Sequence, residues 1–229
     1  MQRPFLKEVL VWESVGRAKR RGKFEVGGVI IMTSGERFYE LRKKRVTLLF
    51  MAVVCIVFVV DLMLAPHPFS LEYLVYGNDY GLITEYGRLV NLADIHPQYW
   101  RIITCSFIHA GIPHLLVNLL ALYISGTMLE EMKGSGRLTL VFLVSGIGSS
   151  IINMFSTNGA VGASGAIYGV ICYLVLSRTI TLKDKYSIIK FVVLSLYLIL
   201  PNLSSSTAIF AHIAGFLIGG ICYFVSNDN

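Results

Sequence analysis

Apolar positions in this chain gather into long blocks separated by short polar interruptions. Val46 to Ala65 is twenty residues with one charge, Asp61, near its far end. About twenty apolar residues cross the hydrocarbon core of a bilayer as a helix, so this block reads as a first span, stopped by Pro66 and Pro68. From His67 to about Pro113 the pattern loosens, with turn residues and the half-apolar run Tyr99-Trp100-Arg101-Ile102-Ile103-Thr104. That connection is too long and too aromatic for a plain loop. It is expected to lie partly in the membrane, with Trp, Tyr and Arg anchors at the interface. Further spans are expected from about Ile112 to Leu129, Leu138 to about Phe155, Gly162 to Arg178, Tyr186 to Leu200 and Ala208 to Val225. Glu130 to Arg137 reads as a tight turn, Ser156 to Val161 as a short one, and Pro201 to Ser206 as the turn before the last span. The fold class is therefore an all-α polytopic membrane protein of six transmembrane helices, residues 46–226. A polar arm, residues 1–45, precedes them and a short tail, residues 227–229, follows. Phe24 to Met32 alternates weakly, as a short strand or nothing, and the arm is expected to be loosely ordered.

Composition agrees with the blocks: 55% of the 229 residues are hydrophobic and 15% charged, with a mean hydropathy of +0.65. The net charge of +6 would suit nucleic acid, but its distribution excludes that use: twelve of the 20 Lys and Arg fall in residues 1–45. Such placement is a topology signal, with contact to anionic lipid. With the arm inside, the inner turns hold Lys133, Arg137, Arg178, Lys183 and Lys185, and the outer connections only Arg88 and Arg101. Both termini are then cytoplasmic. The first forty residues lack the apolar core of a cleavable signal peptide. Cys55, Cys105, Cys172 and Cys222 form no C-x-x-C pair and are expected to be free thiols. No cluster has metal-ligand spacing, so neither a metal nor a cofactor is expected. No inverted repeat relates the halves, which argues against a transporter.

Within the uncharged run Leu138–Ser177 lies Gly162-Ala163-Ser164-Gly165-Ala166-Ile167-Tyr168-Gly169. A serine beside glycines is ordinarily helix-packing glue, but two further polar features change the weighing. His212 sits in another uncharged run, and His114 and Asn118 are one turn apart in a third. Ser164 is at the outer start of its helix, where backbone amides lack intrahelical partners and favour negative charge. Tyr168 shares its face one turn on. Gly165 and Gly169 form one G-x-x-x-G, and Gly215 and Gly219 another. Small residues at this spacing let two helices approach closely. Packing through them brings His212 level with Ser164, which suits an activated serine nucleophile. Together these residues supply a nucleophile, a base and oxyanion donors. No acidic residue is placed to orient His212, and Asp61, the only nearby candidate, is not expected to serve. The G-x-S-x-G elbow of soluble hydrolases is not met.

In this order the chain resembles the rhomboid family of intramembrane serine proteases. The pieces are Trp100-Arg101, Phe107-Ile108-His109-Ala110-Gly111, His114-Leu115-Leu116-Val117-Asn118, Gly134-Ser135-Gly136-Arg137, Gly162-Ala163-Ser164-Gly165 with Tyr168, and Ala211-His212-Ile213-Ala214-Gly215-Phe216-Leu217-Ile218-Gly219. The resemblance covers about residues 46–226 and implies a six-helix rhomboid-like bundle with a water-accessible site below the outer surface. It implies Ser164 as nucleophile, His212 as base, and His114, Asn118 and the Ser164 amide as oxyanion hole. Tyr168 would stack on His212, and Gly162, Gly165, Gly215 and Gly219 would support the site. Substrates would be single-span membrane proteins cut near the outer face after a small residue, with span five as lateral gate. The bilayer itself is the other partner; an oligomeric state is not implied. A bacterial plasma membrane is the expected location. Thr207-Ala208-Ile209-Phe210-Ala211 departs from the family, many members of which carry an acidic or small polar residue shortly before the histidine. A catalytically dead relative would bind membrane proteins without cutting them; the presence of both Ser164 and His212 argues against it.

Overall fold

The computed structural model describes residues 23–26, 29–32, 44–66, 70–76, 81–156, 160–177, 184–204 and 206–226. The chain divides into two units, Met1–Arg42 and Lys43–Asn229. In the first, β1 (Lys23–Val26) pairs antiparallel with β2 (Val29–Met32), in the register Val26↔Val29 to Lys23↔Met32. The stretch from Phe24 to Met32, expected as a short strand or nothing, thus contains two paired strands. The remainder of this unit lies outside the described residues.

The second unit is helical. Among the described residues it contains six long helices: α1 (Arg45–Met63), α2 (Gly111–Lys133), α3 (Ser135–Asn153), α4 (Ser164–Leu176), α5 (Lys185–Ser204) and α6 (Ser206–Val225). By length and composition, α1, α2 and α3 are long and apolar enough to cross a membrane. The bundle buries polar side chains among an apolar core and exposes large apolar ones on its surface. Thr47, Asn118, Ser125, Ser145, Ser149, Asn153 and His212 are buried, whereas Leu49, Ile56, Leu120, Leu140, Leu196 and Leu217 are exposed. That distribution suits a lipid solvent, in which helices satisfy their own backbone.

α4 is the axis. Ten consecutive residues, Gly165 to Leu174, are buried, as expected of a helix that is apolar all round. At 1.5 Å per residue, its 13 residues measure about 20 Å, short of the ~30 Å hydrocarbon core. Before its start, residues 160–163 are non-helical chain. α4 and α6 touch backbone to backbone. A Cβ on Gly215 would fall onto the carbonyl of Gly165, and one on Gly219 onto that of Gly169.

Two expected turns differ from the structure. Glu130 to Arg137 is not a turn: α2 runs to Lys133 and α3 begins at Ser135. Gly134 alone, at φ 86°, reverses the chain, a conformation that a Cβ disfavours. Glu130 then reaches the start of α1, accepting from the amides of Val46 (2.9 Å) and Thr47 (2.8 Å), from Thr47 Oγ1 (2.7 Å) and from Ser135 Oγ (2.7 Å). A carboxylate there offsets the helix dipole and satisfies orphan donors. The other difference is Pro201. Instead of turning the chain it lies inside α5, which continues to Ser204. Proline has no N–H for the carbonyl four residues earlier, that of Tyr197. The Tyr168 hydroxyl takes over, donating to Tyr197 O (3.1 Å) and Leu198 O (3.0 Å).

The connection between α1 and α2 is also built rather than loose. A π-helical turn (Glu72–Tyr76), a short helix (Leu82–Gly87) and a helical turn (Arg101–Thr104) continuing into Cys105–Phe107 make up its regular parts. Buried Asp61 ties it to α1, accepting from Tyr73 Oη (3.0 Å), Thr84 N (2.9 Å) and Thr84 Oγ1 (2.5 Å). Arg101 closes its far half, donating to the carbonyls of Glu85 (2.8 Å) and Arg88 (2.9 Å) and to Gln98 Oε1 (2.6 Å).

Candidate active site

Ser164 is the first residue of α4, and what precedes it is fixed from the connection between α1 and α2. Ala160 and Leu89 exchange backbone hydrogen bonds of 2.9 and 3.1 Å, Gly162 N donates to Cys105 O (2.9 Å), and Ala163 N donates to buried His109 Nε2 (3.4 Å). Gly162 adopts φ 124°, which strains any residue with a Cβ. Space forbids one as well: a Cβ there would stand 2.9 Å from His114 Nε2. Gly162 therefore lets the His114 ring close on the chain two residues before Ser164.

His212 comes from the second turn of α6, and its Nε2 lies 2.9 Å from Ser164 Oγ. Its ring stacks on Tyr168, with centroids 4.2 Å apart and planes 10° off parallel. The backbone contact at Gly165/Gly215 sets the separation of the two helices one turn away. Gly165 also faces α3, where a Cβ would strike Ser149 Oγ.

On α2, the Ala110 amide donates to His114 Nδ1 (3.4 Å). A neutral imidazole accepting at Nδ1 carries its hydrogen at Nε2, the nitrogen beside Gly162. Asn118 is buried; its Nδ2 donates to His114 O (2.9 Å) and its Oδ1 accepts from Tyr197 Oη on α5 (3.0 Å). A cavity of about 50 Å³ opens beside Ser164, lined by Ser149, Ser150, Asn153, Gly162 and Gly165 among others. The structure thus brings Ser164, His212, Tyr168, Gly162 and His114 into one constellation, with Asn118 one turn along α2. Asp61 is engaged by Tyr73 and Thr84 instead.

The family comparison decides the kinship: the Rhomboid domain matches residues 96–227. The chain belongs to the rhomboid family. It is 36% identical over 138 residues to RHOMBOID-like protein 2 of Arabidopsis thaliana, covering 56% of this chain and 42% of that one. It is 36% identical over 146 residues to Rhomboid protease GluP of Bacillus subtilis, covering 60% and 28%. With YdcA of Bacillus subtilis it shares 32% over 143 residues, 58% of this chain and 71% of that one. Relatives thus come from a plant and a bacterium, so the likeness assigns neither source nor membrane. The match takes in the connection before α2 from His96 onward as well as α2 to α6, and so includes Cys105 and His109, which hold Gly162 and Ala163, but not Leu89.

Four contributors are not evident as such in the sequence. Tyr197 is hidden in an apolar run where a tyrosine carries no signal. His109 stood only as part of the motif before α2. Ser149 and Ser150 had a detectable trace, since Ser145 and Ser149 put a small polar stripe at one-turn spacing on α3, opposite the α4 glycines.

Proposed function

We propose that the protein is an intramembrane serine endopeptidase that cleaves membrane-spanning segments near the outer face of its bilayer. The observation that carries this reading is the 2.9 Å approach of Ser164 Oγ and His212 Nε2, inside a bundle whose surface is apolar. All six long helices cross the bilayer and both ends of the chain lie on the cytoplasmic side, as the basic residues in the arm favour. In this reading Ser164, at the start of the short α4, lies below the outer surface.

Ser164 Oγ attacks the scissile carbonyl carbon while His212 Nε2 takes its proton. The negative charge on the former carbonyl oxygen falls within reach of fixed donors: the Ser164 amide at the start of α4, His114 Nε2–H and Asn118 Nδ2. Such pre-oriented donors are worth most where water is excluded. His212 returns the proton to the leaving amine, and water then resolves the acyl-enzyme with the same histidine as base. Tyr168 holds the imidazole plane throughout. The small cavity beside Ser164 fits a substrate with a small residue before the cut. The substrate class is single-span membrane proteins whose helix unwinds locally, entering past α5.

Purified protein in detergent is expected to label with a serine-directed fluorophosphonate and to cleave a single-span substrate. Ser164→Ala should remain inserted and lose both. Labelling or cleavage by Ser164→Ala at the wild-type rate would remove the assignment.

A further inference from the structure

We propose that Tyr197 is a positioning residue of the oxyanion hole, and that it makes the hole's competence depend on where α5 sits. This rests on the protease reading above.

The Asn118 amide has a carbonyl end and an NH2 end, and two neighbours decide which faces which. His114 O, one turn back on α2, is an acceptor only, so the group 2.9 Å from it must be Nδ2. Oδ1 is then the atom 3.0 Å from Tyr197 Oη, and the tyrosine hydroxyl must donate. One N–H is spent on His114 O, and the other is the one available to an oxyanion. The hydroxyl of Tyr197 therefore fixes the rotamer that presents this second N–H. Without it, the amide gains freedom to turn, and in a buried site an unpaired Oδ1 would seek another donor.

Tyr197 is carried by α5, whereas His114 and Asn118 are on α2 and Ser164 on α4. Between α2 and α5 runs an apolar groove of about 510 Å³, lined by Val117, Leu120, Val193, Leu196, Tyr197 and Leu200. Whatever lodges in that groove touches the tyrosine that sets Asn118. Displacing α5 outward breaks this side-chain hydrogen bond to the hole, together with the bonds of the Tyr168 hydroxyl to Tyr197 O and Leu198 O.

Tyr197→Phe keeps the ring and deletes the hydroxyl. Single-turnover cleavage of a single-span substrate in liposomes should show kcat lowered about tenfold with KM within about twofold, a part of the ~10²–10³ that loss of a whole oxyanion donor costs. Fluorophosphonate labelling of Ser164 should slow by a similar factor. In an Asn118→Ala background the same change should add no further loss, because the hydroxyl acts only through that amide. Wild-type kcat and labelling in Tyr197→Phe would overturn the proposal. So would an equal loss in both backgrounds, or a raised KM with kcat intact. A wild-type chain that neither cleaves nor labels would overturn the protease reading and this one together, before any Tyr197 variant is made.

Discussion

Ser164 and His212 act as one unit in the proposed mechanism, and this shapes what their removal should do. His212→Ala is expected to be as inactive as Ser164→Ala, and the double change no worse than either, since members of a dyad are not additive. Single-turnover cleavage rates of the three variants test it. Turnover retained by His212→Ala would move the base elsewhere. The oxyanion side should behave differently. Asn118→Ala is expected to lose less activity than Ser164→Ala with substrate binding little changed, and the double change with His114→Ala to lose more than either. Tyr168 has two separable functions, a ring against His212 and a hydroxyl on the α5 backbone. Tyr168→Phe should keep most activity and lose about 1 kcal/mol of stability, the worth of an ordinary hydrogen bond; Tyr168→Ala should lose activity as well. Cleavage and thermal unfolding measured side by side separate the two.

Helix pairs carry the next level of constraint. Gly215→Ala and Gly219→Ala should each cost about 1–3 kcal/mol, the range for overpacked contacts, and should lower cleavage in step. Backbone carbonyls, not yielding side chains, meet the added methyl groups. The measurement is thermal unfolding in detergent with fluorophosphonate labelling at a temperature where all variants are folded. Gly162→Ala is a sharper case, because a positive φ and the His114 ring both oppose the methyl group. Its labelling rate should fall by about tenfold or more, with ~1–3 kcal/mol of stability lost to backbone strain. The i, i+4 pairs and the glycine spacing were legible because helical periodicity is a local property of the chain. Tyr197 was not, because its partner Asn118 lies 79 positions away and an aromatic residue in an apolar run has no period to betray it. Pro201 misled for the same reason: the hydroxyl that replaces its missing donor comes from Tyr168, on another helix.

At the scale of the molecule, the number and order of apolar blocks could be read directly. The path of the connection between α1 and α2 could not. Its determinants are Asp61, Arg101 and the Leu89–Ala160 pairing, each a contact between distant stretches. The orientation proposed from the charges of the arm is open to a direct test in a chain freed of Cys55, Cys105, Cys172 and Cys222. In intact cells a membrane-impermeant thiol reagent should label Asn78→Cys and spare Lys19→Cys. The opposite pattern would invert the protein and put Ser164 toward the cytosol.

The carbonyl-on-glycine contact between α4 and α6 has a mechanical consequence. Nothing compressible separates the two backbones, so the helices bearing Ser164 and His212 tilt as one rod when the surrounding lipid thins or thickens. α5 meets α2 across an apolar groove, and the Tyr197–Asn118 hydrogen bond joins them there. A change of acyl-chain length therefore strains the softer joint first. In a series of liposomes of increasing thickness, wild-type cleavage should vary, whereas Tyr197→Phe, already released from that joint, should run at a lower rate that changes much less from one membrane to the next.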